Sequence, residues 1–362
     1  MGTCLLYAYG GCHTLLVKKT FEGPVMRHQP TVADIGELGL LARLQPFCNA
    51  DLQGDDAAVL SACPGTQSIV ITTDVLVDGV HFSDRTTSAE DVGWRAIAAN
   101  LSDLAAMGAT PVGVTIGLSL PGNTLVAWVE QVYQGMNACL KNHGGTILGG
   151  DICRASQRSL AITALGQVTP QQVIRRNQAR PGYAIVVTGY HGASRAGLEL
   201  LLHPDHGQGL TKTEQTGFIQ AHQRPSPRFD MVNYLQAMRQ PQSKPRFEVA
   251  GMDSSDGLAN AVLHLCQASS VGARLLRSHL PIPPLLTAWM GEKTAVDWCL
   301  YGGEDFELVL CLPSAIALEL TAWRPEATII GTITADPDVL LVDKPDAASG
   351  IALTWESCFQ HF

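Results

Sequence analysis

Five short acidic segments are distributed along the chain, and four of them contain glycine. Most follow an apolar run that is typical of a buried strand, as Thr72-Thr73-Asp74 follows the β-branched run at 68–71. Open α/β sheets bind ligands beyond the carboxyl ends of their strands, so this arrangement predicts both a fold class and the place of a site. The segments are Gly54–Asp56, Thr72–Asp74, Gly150–Asp151, Asp253–Gly257 and Gly302–Asp305.

The order of apolar and amphipathic stretches predicts an α/β or α+β protein from Asp34 onward. A length of 362 residues exceeds what one hydrophobic core usually supports, so two domains are expected. Pro170 and the pair Pro181-Gly182 favour a boundary near 170–180. We predict a disordered N-terminal extension at 1–30, a first domain at 31–170 and a second, α/β domain at 171–362.

Helical spacing of apolar residues predicts a helix from Trp94 to Ala105, before the stop signal at Gly108. Asn100 and Asp103 lie three residues apart and would share one face of that helix. Farther along, the polar segment 203–246 carries several prolines and is expected to form a surface helical hairpin or insertion.

The charge and cysteine content exclude several classes of partner. A formal net charge of −9 without a basic run argues against a nucleic-acid surface or an anionic membrane. Ten cysteines without a C-x-x-C pair indicate buried free thiols in a reducing cytoplasm. No apolar run approaches the roughly 18 residues that a membrane span requires. We therefore expect a cytoplasmic protein without nucleic-acid or membrane partners.

The acidic segments together indicate a site for metal ions and phosphates. One such segment alone is usually a turn or a helix N-cap. Several convergent carboxylates repel one another unless cations lie between them, and Mg²⁺ takes oxygen ligands that it often shares with substrate phosphates. A P-loop sequence is absent, since Gly291-Glu292-Lys293-Thr294 lacks the required spacing, and protein-kinase signatures are absent too.

In their order along the chain, seven segments resemble the thiamine-monophosphate kinase family. This family belongs to the superfamily of aminoimidazole ribonucleotide synthetase and selenophosphate synthetase. The segment from Thr73 to Phe82 is the one that most separates these kinases from the rest of the superfamily. The matching segments are Gly54–Ala58, Thr72–Phe82, Asn100–Pro111, Gly149–Asp151, Arg224–Arg228, Asp253–Gly257 and Gly302–Glu307.

The resemblance implies a two-domain aminoimidazole ribonucleotide synthetase-like fold. Its N-terminal mixed sheet would bind ATP and Mg²⁺ and form a barrel with a second subunit, giving a homodimer, and a C-terminal α/β domain would lie against it. Carried over by position, the metal ligands would be Asp56, Thr72, Thr73, Asp74, Asp103, Asp151, Asp253 and Asp256. ATP would contact Tyr133, Gly150, Asp151, Arg176 and Ser255, and thiamine monophosphate would contact His81, Glu304 and Trp355. Phe359 is the alternative to Trp355 for stacking on the substrate.

The activity implied is transfer of the ATP γ-phosphate to thiamine monophosphate, giving thiamine diphosphate, with several Mg²⁺ ions as cofactors. Direct in-line transfer is expected, with Asp74, Asp103 and Asp151 as the catalytic residues. Two alternatives stay open at this point. The chain could be another ATP-using enzyme of the superfamily, similar to selenophosphate synthetase or aminoimidazole ribonucleotide synthetase, or a non-catalytic metal-binding scaffold.

Overall fold

The first half of the chain forms a mixed sheet. We describe a computed structural model, which covers residue 55 and residues 57–60, 67–239, 247–347 and 349–360. The sheet has the order β1-β2-β5-β3-β4 within these residues; β3 and β4 are parallel and the other neighbours antiparallel. The predicted extension at 1–30 and the predicted ligand Asp56 lie outside the described residues. The strands are β1 (Ala58–Leu60), β2 (Ser68–Val77), β3 (Thr110–Leu120), β4 (Ile147–Arg154) and β5 (Ser159–Val168).

Strand β2 is longer than the sequence pattern predicts. The predicted strand ends before Thr72, but the observed strand continues to Val77, and Asp74 pairs with Ile162 of β5. Thr72, Thr73 and Val75 are β-branched residues that suit the pleated ladder, so pairing continues through the polar residues. Asp74 therefore lies within the strand and not beyond its carboxyl end.

One face of this sheet is covered by two helices, α1 (Ala89–Ala106) and α2 (Val126–His143). Helix α1 begins at the N-cap Ser88, whose hydroxyl accepts a hydrogen bond from the Asp91 N–H at 3.2 Å. The helices cross at glycines: a Cβ on Gly93 would lie 1.9 Å from the Val132 carbonyl oxygen, and one on Gly135 would lie 1.8 Å from that of Glu90. The missing side chains thus allow direct backbone contact.

The opposite face of the first sheet is not covered by any described element. Ile69 and Val75 of β2 point to this face and expose 40% and 49% of their surface. Val70, Thr72 and Leu76 point the other way and are buried. This alternation is the period-two pattern of a strand with one covered face.

The second half forms a larger mixed sheet with the order β12-β11-β8-β10-β6-β9-β7. Its strands are β6 (Ala184–Val187), β7 (Ala250–Asp253), β8 (Gly272–Leu276), β9 (Leu308–Leu312), β10 (Thr328–Thr334), β11 (Val339–Val342) and β12 (Ile351–Ala352). The helices of this half are α3 (Ala193–Leu202), α4 (Lys212–Gln223), α5 (Phe229–Met238), α6 (Leu258–Ser269), α7 (Pro284–Met290), α8 (Glu292–Tyr301) and α9 (Ser314–Trp323). The two sheets with their helices confirm the predicted α/β class. The barrel with a second subunit stays a prediction.

Helix α1 lies between the two sheets. It contacts β2, β3 and β5 of the first sheet and β7 of the second, and most of its residues are buried. Ile97 and Leu101 share one hydrophobic core with Val186 of β6 and Leu310 of β9. A separate core joins α6 to the other face of the second sheet.

The segment 203–246 contains the helices α4 and α5, as predicted, but it is not simply a surface hairpin. Its helices α4 and α5 bury Phe218, His222 and Phe229. The Trp94 indole Nε1 of α1 donates a hydrogen bond to the Pro225 carbonyl at 2.8 Å. The segment therefore packs against the first half. Among the described residues, no helix combines the length and apolarity needed to cross a bilayer.

Candidate active site

A cavity of about 720 Å³ lies between the first half, where β2 and α1 line it, and the second half, where helix α3, two loops at 253–256 and 302–306, and Phe359 line it. Eight of the residues predicted from the sequence to bind metal, ATP or acceptor line it together, although they are distant in the chain. They are Thr73, Asp74, His81, Asp103, Asp253, Ser255, Asp256 and Glu304.

The first-half wall of the cavity carries Asp74 and Asp103. The Thr72 hydroxyl donates to Asp103 Oδ2 at 2.5 Å, which holds the helix carboxylate against the strand. The Asp74 N–H donates to Asn100 Oδ1 at 3.2 Å. Asn100 and Asp103 do share one face of α1, as predicted, and that face is turned towards β2.

His81 lines the cavity just beyond the end of β2. The Val77 N–H donates a hydrogen bond to His81 Nδ1 at 3.1 Å. Because Nδ1 accepts this bond, the neutral imidazole carries its proton on Nε2. The ring therefore has a fixed orientation before any ligand binds.

The second-half wall is the loop between β7 and α6, which carries Asp253, Ser255 and Asp256. The Ser255 hydroxyl donates to Asp253 Oδ1 at 2.9 Å. The neighbouring Ser254 is buried, its hydroxyl lies 2.9 Å from His191 Nε2, and its N–H donates to the Glu307 carbonyl at 2.9 Å. These bonds hold the backbone that presents the carboxylates.

Protonation of His191 should destabilise the protein in mild acid. Burial lowers the pKa of His191 to about 4, whereas a histidine in an unfolded chain titrates near 6.5. Between these values the unfolded state binds the additional proton. The stability contributed by neutral His191 is therefore present above about pH 6.5 and is lost as the pH falls towards 4, with a slope of about 1.4 kcal/mol per pH unit. Denaturant unfolding across this range measures the slope.

In His191→Gln, the free energy of unfolding should depend less steeply on pH than in the wild type. His203→Gln is the matched control, because the ring of His203 is exposed, and this variant should keep the wild-type slope. Identical slopes for wild type and His191→Gln would contradict the assignment.

Glu304 belongs to a loop with unusual backbone geometry. Gly303, Glu304 and Phe306 have φ values of 66°, 59° and 52°, in the left-handed region. The Glu304 N–H donates to the Ser255 carbonyl at 2.6 Å, which ties this loop to the Asp253 loop. Non-glycine residues in this region are uncommon and often found at functional sites, which supports a role for Glu304.

Asp305, next to Glu304, supports the fold and does not line the cavity. Its carboxylate accepts hydrogen bonds from the Gly192 and Ser194 N–H groups at 2.7 and 2.9 Å, at the start of α3. Burial raises the pKa of Asp305 to about 7, although these two hydrogen bonds act in the opposite direction. Of these two adjacent acids, Glu304 therefore faces the cavity and Asp305 holds the start of α3.

Arg95 of α1 also lines the cavity, although it is not among the residues predicted from the sequence. Its guanidinium donates to Glu304 Oε1 at 2.5 Å and to the His222 carbonyl. A signal was present, since Arg95, Ala99 and Asp103 are spaced by four residues and share one helix face. Its partner, however, is 209 positions away in the chain, which local spacing does not reveal.

Gly150 and Asp151 do not line this cavity. They belong to β4, and the paired residues Asp151, Gly117, Ala161 and Val75 run across the sheet. Three strand spacings therefore separate Asp151 from β2, or about 14 Å. Paired side chains point to the same face, so Asp151 shares the uncovered face with Val75.

The remaining predicted residues also lie elsewhere. Tyr133 is partly buried on α2 against the first core. Trp355 contacts the ring of His264 edge to face, with 4.7 Å between centroids. Burial, and then the charge of Arg176, lower the pKa of His264 to about 4, which places Arg176 in the same neighbourhood. Of the two aromatic candidates for substrate stacking, Phe359 lines the cavity.

The donors in the cavity suit Mg²⁺. Within the described part of the chain, no three His, Cys, Asp or Glu side chains are already close enough together to hold a metal ion. Mg²⁺ commonly takes one or two carboxylates and completes its shell with water and substrate phosphates, so a preformed cage is not required. Carboxylates from Asp74, Asp103, Asp253 and Asp256 face one space and fit an ion that binds with a nucleotide.

Comparisons with known proteins find a matching domain family, curated relatives and a similar solved structure. A family described as AIR synthase related protein, N-terminal domain, matches residues 54–168. The thiamine-monophosphate kinase of Synechococcus elongatus is 47% identical over 336 residues, covering 92% of this chain and 98% of the relative. That of Escherichia coli K12 is 34% identical over 313 residues, covering 85% and 91%. The structure of AaThiL complexed with AMPPCP and TMP matches with a TM-score of 0.76 and 29% identity, covering 93% of this chain and all of that one.

Proposed function

Because this chain belongs to the thiamine-monophosphate kinase family, we propose that it transfers the γ-phosphoryl group of ATP to the phosphate of thiamine monophosphate. The products are thiamine diphosphate and ADP. The observation that carries the proposal is the convergence of Asp74, Asp103, Asp253 and Asp256 on one cavity, from both halves of the chain. AaThiL, a relative in structure, is complexed with AMPPCP and TMP, which supports a nucleotide and an acceptor as the two ligands.

The reaction needs positioning and charge neutralisation more than acid–base chemistry. The acceptor phosphate is ionised at neutral pH, so no general base is required to create the nucleophile. An oxygen of the acceptor phosphate attacks the γ-phosphorus in line and forms the new P–O bond. The bond from the γ-phosphorus to the β–γ bridging oxygen breaks, and ADP leaves with the electron pair. No phosphoenzyme forms in this scheme.

The carboxylates of the cavity would hold the magnesium ions. When bound, Mg²⁺ neutralises charge on the two phosphate groups and allows them to approach. Asp74 and Asp103 are the proposed ligands on the first-half wall, where Thr72 orients Asp103. Asp253 and Asp256 are the proposed ligands on the other wall. We also propose Asp56, Thr72, Thr73 and Asp151 as ligands, and Ser255 as a contact of ATP.

The acceptor would contact His81, Glu304 and Phe359, which all line the cavity. Thiamine monophosphate carries a cationic thiazolium ring, which favours a carboxylate or an aromatic face. Glu304 supplies the first and Phe359 the second. Trp355 stays a prediction, since it packs against His264 and away from the cavity lining. For ATP, Tyr133, Gly150 and Arg176 stay proposed contacts.

We propose that the protein is a cytoplasmic homodimer in which a second copy covers the exposed face of the first sheet. That face presents Ile69 and Val75 together with Asp151, and described elements leave it open. Apolar residues on one broad sheet face favour association. Asp151 lies on this same surface, so its proposed catalytic role is expected to depend on dimer formation.

The activity is tested by incubating the purified protein with ATP, Mg²⁺ and thiamine monophosphate. We expect thiamine diphosphate and ADP to appear in equal amounts, and removal of divalent ions with a chelator to stop the reaction. Free thiamine should be inert as acceptor, because it has no phosphate oxygen to attack the γ-phosphorus. ATP hydrolysis without thiamine diphosphate, or phosphorylation of free thiamine, would exclude the proposal.

A further inference from the structure

Arg95 joins three segments that are far apart in the chain. It belongs to α1, and its guanidinium bonds to the His222 carbonyl at the end of α4 and to the Glu304 carboxylate. Only 3% of its side chain is exposed, whereas the Glu304 side chain is 34% exposed and reaches the cavity. The pair therefore has a buried half and a half that a ligand can contact.

Arg95 is the only arginine or lysine among the described residues that line the cavity, where five acids also lie. An arginine stays protonated in proteins, and its burial is stabilised only if a carboxylate and carbonyl oxygens accept from it. Glu304 is the acid with which it pairs. A carboxylate that shares its charge with a guanidinium is a weaker ligand for a divalent ion than the aspartates. The ion pair with Arg95 therefore favours a role for Glu304 other than binding metal.

The geometry leaves one oxygen of Glu304 for a ligand. Arg95 contacts Oε1, and Oε2 lies 3.6 Å from His222 Nδ1, which is beyond a good hydrogen bond. His222 Nδ1 is 3.1 Å from the Ser194 hydroxyl. Burial, followed by the charge of Arg95, lowers the pKa of His222 to about 4. His222 is therefore neutral at pH 7 and leaves the second carboxylate oxygen able to accept from another group.

We propose that Arg95 is a positioning residue for recognition of the acceptor: it holds Oε1 of Glu304 so that Oε2 faces the cationic thiazolium ring of the substrate. The inference rests on the proposed function, because it assigns Glu304 to the acceptor and not to ATP. It also explains how a glutamate with a left-handed backbone keeps one side-chain orientation. Arg95 itself need not touch the substrate.

Steady-state kinetics of Arg95→Gln and Glu304→Gln test this inference. Each variant should raise the KM for thiamine monophosphate by about tenfold or more, which corresponds to losing about 1.4 kcal/mol of attraction between the Glu304 carboxylate and the cationic ring. The KM for ATP should stay near the wild-type value in both. Arg95→Lys keeps the charge but not the planar fork, so its KM for the acceptor should lie between those of wild type and Arg95→Gln.

Arg224→Gln is the matched control. Arg224 also links the segment 203–246 to α1, through Asp91 at 2.5 Å and Glu90 at 3.0 Å, but it does not line the cavity. This variant should lower Tm without changing either KM. If Arg95→Gln instead lowers Tm and changes the KM values for both substrates alike, Arg95 has only a structural role and the inference is wrong.

A double variant covers the case in which Arg95→Gln does not fold. If Arg95 acts through Glu304, adding Arg95→Lys to Glu304→Gln should raise the acceptor KM no further than Glu304→Gln alone. Additive effects would overturn the inference. A wild-type protein that makes no thiamine diphosphate would instead exclude the proposed function, so the two failures are distinguishable.

Discussion

Asp103→Asn should lower kcat by about 100-fold to 1,000-fold, the usual cost of removing one preorganised group that stabilises transition-state charge. The amide keeps the size of the side chain and can still accept from the Thr72 hydroxyl, which is 2.5 Å from Oδ2 in the wild type. What is lost is the negative charge that would bind a magnesium ion. The Mg²⁺ concentration for half-maximal rate should therefore rise as well. Initial rates measured over a Mg²⁺ titration give both quantities.

Asp74→Asn should behave in the same way, because Asp74 lines the same wall of the cavity. Asp84→Asn is the control for loss of a carboxylate: Asp84 is 73% exposed, pairs with Arg158 and lies outside the cavity. Its rate and Mg²⁺ requirement should match the wild type. Near-normal turnover in both Asp74→Asn and Asp103→Asn would contradict the metal–phosphate scheme.

Gly135→Ala should destabilise the fold by about 1–3 kcal/mol, and Gly135→Val by more, because overpacking forces backbone shifts. A Cβ at this position would lie 1.8 Å from the Glu90 carbonyl oxygen and 2.7 Å from its carbon, which are backbone atoms that cannot rotate away. Helices α1 and α2 would have to separate. Because α1 carries Arg95 and Asp103, activity should fall together with stability. Denaturant unfolding measures the first effect and the kinase assay the second.

Gly217→Ala is the matched control for the glycine substitution. Gly217 lies inside helix α4, is exposed, and has no atom within 4 Å of the position where a Cβ would be. Alanine is favoured over glycine in a helix interior by up to about 1 kcal/mol. This variant should be as stable as the wild type or more stable. Equal unfolding curves for Gly135→Ala and wild type would show that the helices do not meet as described.

Local patterns predicted helix α1 and the shared face of Asn100 and Asp103, because helical periodicity depends on neighbours in the chain. The end of β2 was not predicted, since Thr72, Thr73 and Val75 continue the strand only when β5 is beside them. The distance of Asp151 from β2 likewise depends on the strand order of the whole sheet.

The cavity itself could be anticipated only in part. Eight of its lining residues were predicted by the family resemblance, and six of these eight also belong to the acidic segments. Arg95 was not predicted, because its role depends on the ion pair with Glu304, which forms only when the chain folds. The buried histidines at positions 191 and 222 were missed for a similar reason: each takes its role from non-local hydrogen bonds.

The position of helix α1 between the two sheets has a consequence for how the protein could evolve. The sequence predicts two domains that meet near residue 170, but α1 of the first domain contributes side chains to a core that also contains Val186 and Leu310 of the second. Separating the chain at that point would expose apolar surface on both pieces. The two halves are therefore expected to have diverged together, because a substitution in α1 must remain compatible with the packing of both sheets.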